Sequence, residues 1–125
     1  MLARYQIKRG QPAAELPGGI RRDARKHTRH CLRPSAEMVD AYLDDPSDAG
    51  WRAFANAYRK LIDRRFREDS GPFDQLAEDA NQGDVHIGCS CPTKKNPDVR
   101  HCHTWMALEF MGGKYPDLEV VFPST

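Results

Sequence analysis

Apolar side chains between residues 51 and 66 recur at i, i+3, i+4 and i+7: Trp51, Phe54, Ala55, Tyr58, Leu61, Ile62 and Phe66. This spacing places them on one stripe of a helix, with Arg52, Arg59, Lys60, Asp63 and Arg64 on the opposite face. The stripe reads as core and needs no cofactor to explain it. A shorter helix precedes it. Ser35 is its expected N-cap, Glu37 sits favourably in the first turn, and Met38, Val39, Tyr42 and Leu43 keep the helical period until Asp44, Asp45 and Pro46 end it. A third helix is predicted over residues 71–84, burying Phe73, Leu76, Ala77 and Ala80, with Pro72 near its start and Gly83 as its cap.

Elsewhere the period changes to two. "RYQIKR", residues 4–9, alternates as a strand with Tyr5 and Ile7 on one face. "DVHIGCS" does the same with Val85 and Ile87 inward, leaving His86 on the other side as a surface or hydrogen-bonded residue. "HTWMALEFMGGK" is helical as far as Gly112 and Gly113, and Trp105 within it is expected to pack beneath the preceding loop. "LEVVF", residues 118–122, is predicted as a closing strand stopped by Pro123. "GQPAAELPGG" breaks regular structure, and the basic stretch after it has only Ile20, Cys31 and Leu32 as apolar anchors.

The predicted order is strand, basic segment, three helices, strand, helix, strand. It implies an α/β fold, a small three-layer sandwich with a short, mostly parallel sheet flanked by helices. Strand, helix and strand in the last third imply a right-handed crossover and a parallel pair. One domain over residues 1–125 accommodates this order, and no internal repeat divides it.

A net charge of +1 excludes a strongly acidic or basic protein. The apolar runs are too short to span a bilayer, and "MLARYQIKRG" lacks a secretory signal, so the expected setting is cytoplasmic, away from membranes, where thiols stay reduced. Charge is nevertheless uneven. "RRDARKHTRHCLR", residues 21–33, holds six Arg or Lys against one Asp. It reads either as a solvated face or as an anion contact, and it has too little aromatic interleaving to argue for nucleic acid by itself.

The densest chemistry lies in "GCSCPTKKNPDVRHCHT", residues 88–104, with three of the four cysteines and two of the five histidines. Cys89 and Cys91 fall at the carboxyl end of a predicted strand, and Cys102 and His103 at the start of the next helix. In parallel α/β sheets that crevice binds ligands, and a helix N-terminus beside cations favours a thiolate. Cys89, Cys91, Cys102 and His103 form a tetrahedral set that zinc would accept, with His101 and His103 a second pair. The spacing departs from the common C-x₂₋₄-C pattern. Alternatively Cys89 or Cys102 acts as a nucleophile with His103 or His101 as base. A strained Cys89–Cys91 disulfide and simple packing of the strand-helix turn remain open. His27, His30 and Cys31 join a metal site only if the basic segment folds over the loop. No Walker loop, G-x-G-x-x-G, H-E-x-x-H or nucleophile elbow is present.

In order, "YQIKR", "GGIRRDARK", "LRPSAEMVDAY", "WRAFANAYRKLI", "FDQLAEDANQGDVHIGCS" and "CHTWMALEFM" resemble the YeaO-like family, domain of unknown function 488, over about residues 5 to 111. The resemblance implies an α/β fold and a soluble bacterial or phage-type protein, and implies no established reaction. It singles out Lys8, Arg9, Arg21, Pro34, Ser35, Tyr58, Cys89, Cys102 and His103. Thr104 stands where the family's Cys-His-Arg carries Arg, and Cys91 where many relatives carry an acidic residue.

These readings converge on a crevice in which Arg9, Arg21, Arg22 and Arg25 hold a small anionic, phosphate-bearing ligand, with Cys89, Cys102 and His103 at the reacting end. The alternatives are a non-enzymatic zinc module on Cys89, Cys91, Cys102 and His103, and an interaction domain using the basic face for protein or nucleic acid.

Overall fold

The computed structural model describes residues 1–124. Three parallel strands, β1 (Leu2–Gln6), β2 (Ile20–Asp23) and β3 (Val85–Cys89), lie in the order β1-β3-β2. Four helices complete the chain: α1 (Ala36–Asp44), α2 (Asp48–Glu68), α3 (Gly71–Gln82) and α4 (His103–Lys114). The architecture is the expected small α/β sandwich. Among the described residues no helix is long and apolar enough to cross a membrane.

Local chemistry sets the helix ends. Ser35 Oγ accepts from the Met38 amide at 3.2 Å and Ser47 Oγ from the Gly50 amide at 3.1 Å, each satisfying a first-turn donor. Pro72 occupies the first turn of α3, where no amide hydrogen is needed.

Leu2, Val85 and Ile87 share the sheet face that meets α3 and α4, where Phe73, Leu76, Ala80, Leu108 and Met111 close the main core. A second apolar cluster joins α1 and α2 to α4 through Tyr42, Phe54, Tyr58, Ile62 and Met106. On the opposite sheet face, a Cβ at Gly88 would come within 2.7 Å of both Ile7 Cδ1 and the Tyr5 ring. Glycine there lets Tyr5 and Ile7 lie flat across β3, one residue before its terminal cysteine.

Four expectations change. The opening strand starts two residues earlier and ends three residues earlier than the alternation over residues 4–9 suggests. The basic segment supplies a strand, β2, in register with β3 through Ile20↔Val85 and Arg22↔Ile87. Ile20 is exposed rather than an apolar anchor, because β2 is an edge strand; Leu32 is the anchor that is buried. Residues 118–122 do not form a strand. They make a single parallel bridge, Leu2↔Val120, so the crossover through α4 delivers the chain to the β1 edge and not beside β3. Phe122 then packs its ring 4.9 Å from Trp105, and Pro123 has no amide hydrogen to extend a ladder.

Candidate functional site

A pocket of about 330 Å³ lies at the carboxyl ends of β2 and β3, where Arg25 and Cys89 line it. Cys89 is the last residue of β3, Cys102 is the N-cap of α4 and His103 its first residue, so the strand-loop-helix placement expected from sequence is the one observed. The loop between them, with a cis Cys91–Pro92 bond, folds back so that the Sγ atoms of Cys89, Cys91 and Cys102 lie within 4.8 Å of one another. All the cysteines are free thiols, including Cys89 and Cys91, whose disulfide was one reading of the sequence.

Side chains from distant elements hold this loop. Arg4 of β1 donates through Nη2 to the carbonyl of Cys91 at 2.6 Å and of Cys89 at 3.4 Å, and through Nε to Thr104 Oγ1 at 2.9 Å. Gln6 donates to the carbonyls of Pro92 at 2.6 Å and Ser90 at 3.1 Å. Buried Asn96 donates to Cys91 Sγ at 3.4 Å and to the His101 carbonyl at 2.6 Å, and accepts from the Tyr42 hydroxyl at 3.3 Å. These bonds fix the backbone of residues 89–92 and 101, the segments that carry the converging sulfurs.

Charge within the sulfur cluster is uneven. Cys102 is held well below the usual thiol range by the Cys89 and Cys91 thiols, and further by the Thr104 hydroxyl donating at 3.2 Å, despite burial. Cys89 and Cys91 are pushed up, above all by the sulfur of Cys102. Burial lowers His103 to about 4, so its imidazole is neutral near pH 7. A carbonyl can only accept, so His103 carries its proton on Nε2, 2.8 Å from the Ala24 oxygen, and its Nδ1 lone pair lies 3.9 Å from Cys102 Sγ.

The pocket wall is aromatic. Trp51 stacks on Phe54 with centroids 5.2 Å apart and on His101 at 4.7 Å, while Tyr42 meets Trp51 edge-on at 5.4 Å. At the exposed rim stand Arg25, Lys26, His27 and Lys95. Arg25 is fixed by Asp23, which accepts from Nε at 3.0 Å and from Nη2 at 2.8 Å, while Nη1 faces Ser90 Oγ at 3.4 Å.

The structure thus brings Cys89, Cys91, Cys102, His103 and Arg25 to one pocket. Arg9, Arg21 and Arg22 do not line it: Arg9 lies in the exposed turn after β1, Arg21 donates to the Pro17 carbonyl at 2.8 Å, and Arg22 lies exposed along β2. His27 reaches the rim, while His30 and Cys31 stay outside the sulfur cluster. Sequence reasoning passed over Arg4, Asn96 and Thr104 as site residues and assigned Tyr42, Trp51 and Phe54 wholly to the core. Helical periodicity cannot separate a core ring from a ring on a pocket wall, because both occupy the same stripe.

A family model described as DUF488-N3a, the active DUF488-N3 subclade, matches residues 7–113, a span that includes every sulfur and ring of this pocket. No curated protein and no solved structure matches the chain.

Proposed function

The chain belongs to the DUF488 family, and from that premise we propose that its pocket is a small-molecule site built over a thiolate-bound metal ion. Cys89, Cys91 and Cys102 are the ligands, and zinc suits them best, being met tetrahedrally by thiolate and imidazole donors. The observation that carries this reading is the mutual approach of three Sγ atoms to within 4.8 Å from two separate elements. Packing alone does not require three thiols to converge, whereas one ion about 2.3 Å from each sulfur does. Thr104 and Asn96 fit the part of outer partners, since each donates to a ligand sulfur. His103 Nδ1, 3.9 Å from Cys102 Sγ, is the candidate fourth donor, and a fourth position it did not take would be left to a pocket ligand. A bound zinc would act there as a Lewis acid toward whatever occupies that position.

The direct test is elemental analysis of protein prepared without a histidine tag. About one equivalent of zinc or another thiophilic metal is expected; metal at trace level after growth in zinc-supplemented medium would end the metal reading.

A second reading follows from the position of Cys102 at the head of α4, with a hydroxyl donor beside it. In metal-free protein this sulfur would act as the nucleophile in its thiolate form, with no base required to deprotonate it. Rapid alkylation of one thiol at neutral pH supports that role, and three thiols reacting no faster than free cysteine removes it.

A further inference from the structure

We propose that the ligand of this pocket is a flat heteroaromatic ring carrying a phosphate, in the manner of a nucleoside monophosphate. The inference deepens the small-molecule reading of the same pocket and rests on it for location, but it does not depend on the metal.

The ring half of the argument lies in the wall. Phe54, Trp51 and His101 form a run of near-parallel rings, with interplanar angles of 18° and 20° at the two steps. The run ends at His101, whose only ring partner among the described residues is Trp51. His101 is half-buried and lines the pocket, so a further flat ring can continue the stack there. Stacking on an aromatic face favours any heterocycle by about 1–3 kcal/mol and is tolerant of which one. Tyr42, set edge-on to Trp51 and tied to Asn96, lines the same pocket.

The anionic half lies at the rim. Arg25, Lys26 and Lys95 line the pocket, and no Asp or Glu does. The carboxylates beside these groups are held in pairs, and Asp98, near Tyr42 and His101, is itself paired with Arg100 at 3.1 Å. Asp23 grips the Nε and Nη2 edge of Arg25, leaving Nη1 toward Ser90, and Asp40 holds Lys26 at 3.0 Å. Lys95 has no carboxylate within ion-pair distance among the described residues. Ser90 and Thr93 also line the pocket, and their hydroxyls, which accept from Arg25 Nη1 and the Asn96 amide, keep a proton to donate. A preoriented guanidinium, a free ammonium and two hydroxyls are what a single phosphate group asks for. A pocket of about 330 Å³ suits one nucleotide rather than a strand or a dinucleotide.

Calorimetric titration decides this with three arms: the common ribonucleoside 5′-monophosphates, the matching nucleosides, and inorganic phosphate. At least one monophosphate is expected to bind at least about 10-fold more tightly than its nucleoside or phosphate alone, a gap of about 1.4 kcal/mol. His101→Ala should weaken monophosphate and nucleoside together and leave phosphate unchanged. Lys95→Ala, on an exposed side chain with no partner to lose, should weaken monophosphate and phosphate and spare the nucleoside. Monophosphates binding no better than phosphate, or indifferent to both substitutions, would overturn the proposal. Metal content measured on the same preparations keeps the two readings apart: nucleotide binding without metal retains this inference and removes the zinc centre, and metal without nucleotide binding does the reverse.

Discussion

Arg4 Nε donates to Thr104 Oγ1 at 2.9 Å, and that hydroxyl in turn donates to Cys102 Sγ at 3.2 Å. One hydroxyl therefore links the first strand to a sulfur whose thiol is held below its ordinary range. Thr104 is fully buried, so Thr104→Val conserves its volume while removing the hydroxyl that donates to Cys102. Loss of an outer partner of this kind weakens metal sites by about 10- to 100-fold. Zinc affinity, read by competition with a chromophoric chelator, should fall by that order in Thr104→Val and stay near the parent in Thr104→Ser. Equal affinities in all three proteins would show that the hydroxyl has no part in tuning the site.

The four cysteines divide cleanly. Cys89, Cys91 and Cys102 converge, whereas Cys31 lies outside the cluster with its thiol pushed up to about 11 by burial. Serine at any one of the three clustered positions should reduce bound zinc to a small fraction of its parent level, since a hydroxyl does not ionise as a thiolate does. Cys31→Ala should keep the full amount. Elemental analysis of the four variants reads this directly, and retention of metal in Cys102→Ser would remove that sulfur from the ligand set.

The contrast between what periodicity reveals and what it hides runs through the whole molecule. The helices α1 to α3 are legible because each buries one face against a partner, and burial imprints a period on the chain; α4 is legible from its apolar run, which is buried on several faces. β2 is not legible. It is a polar edge strand whose pairing lies entirely in backbone hydrogen bonds, and Ile20, Arg21 and Arg22 are all exposed. The closing segment misleads in the opposite direction, since Leu118, Val120 and Val121 look like a strand but earn only a bridge to Leu2. At the site, the cysteine spacing announces soft-ligand chemistry in the loop itself. Arg4, about 85 residues upstream, bears no local mark of its role, because the contact that gives it one is made only when β1 and β3 pair in register.

Tyr58 marks the join between core and site. Its hydroxyl is fully buried and donates to the Leu32 carbonyl at 2.7 Å, and its ring meets the His103 ring edge-on at 5.7 Å. Tyr58→Phe keeps the ring against His103 and leaves the Leu32 oxygen without that donor. Chemical denaturation should show a loss of about 1–3 kcal/mol, with zinc content and ligand binding unchanged. A parallel loss of metal would mean that the segment around Leu32 positions the cluster more directly than its contacts indicate.

His30 provides a pH signature separate from the sulfur site. Burial lowers its pKa from 6.5 to about 4, and the facing charges of Arg22, Arg33 and His103 act in the same direction, with Asp23 opposing them. In the folded chain Nδ1 is occupied, accepting from the Leu32 amide at 3.0 Å. Unfolding restores the ordinary imidazole, so between about pH 6.5 and 4 the unfolded chain binds the extra proton. The stability this residue contributes is complete above pH 6.5 and is lost as the pH falls toward 4, below which its effect levels off. His30→Asn retains an acceptor near Nδ1 but cannot take up a proton. Midpoints of urea denaturation measured from pH 7.5 to 4 should therefore fall less steeply in His30→Asn than in the parent, by up to one proton of slope. The two proteins should differ least at the alkaline end, where His30 is neutral in both states. Parallel curves across the whole range would place the acid sensitivity elsewhere, with His103 the next buried imidazole to examine.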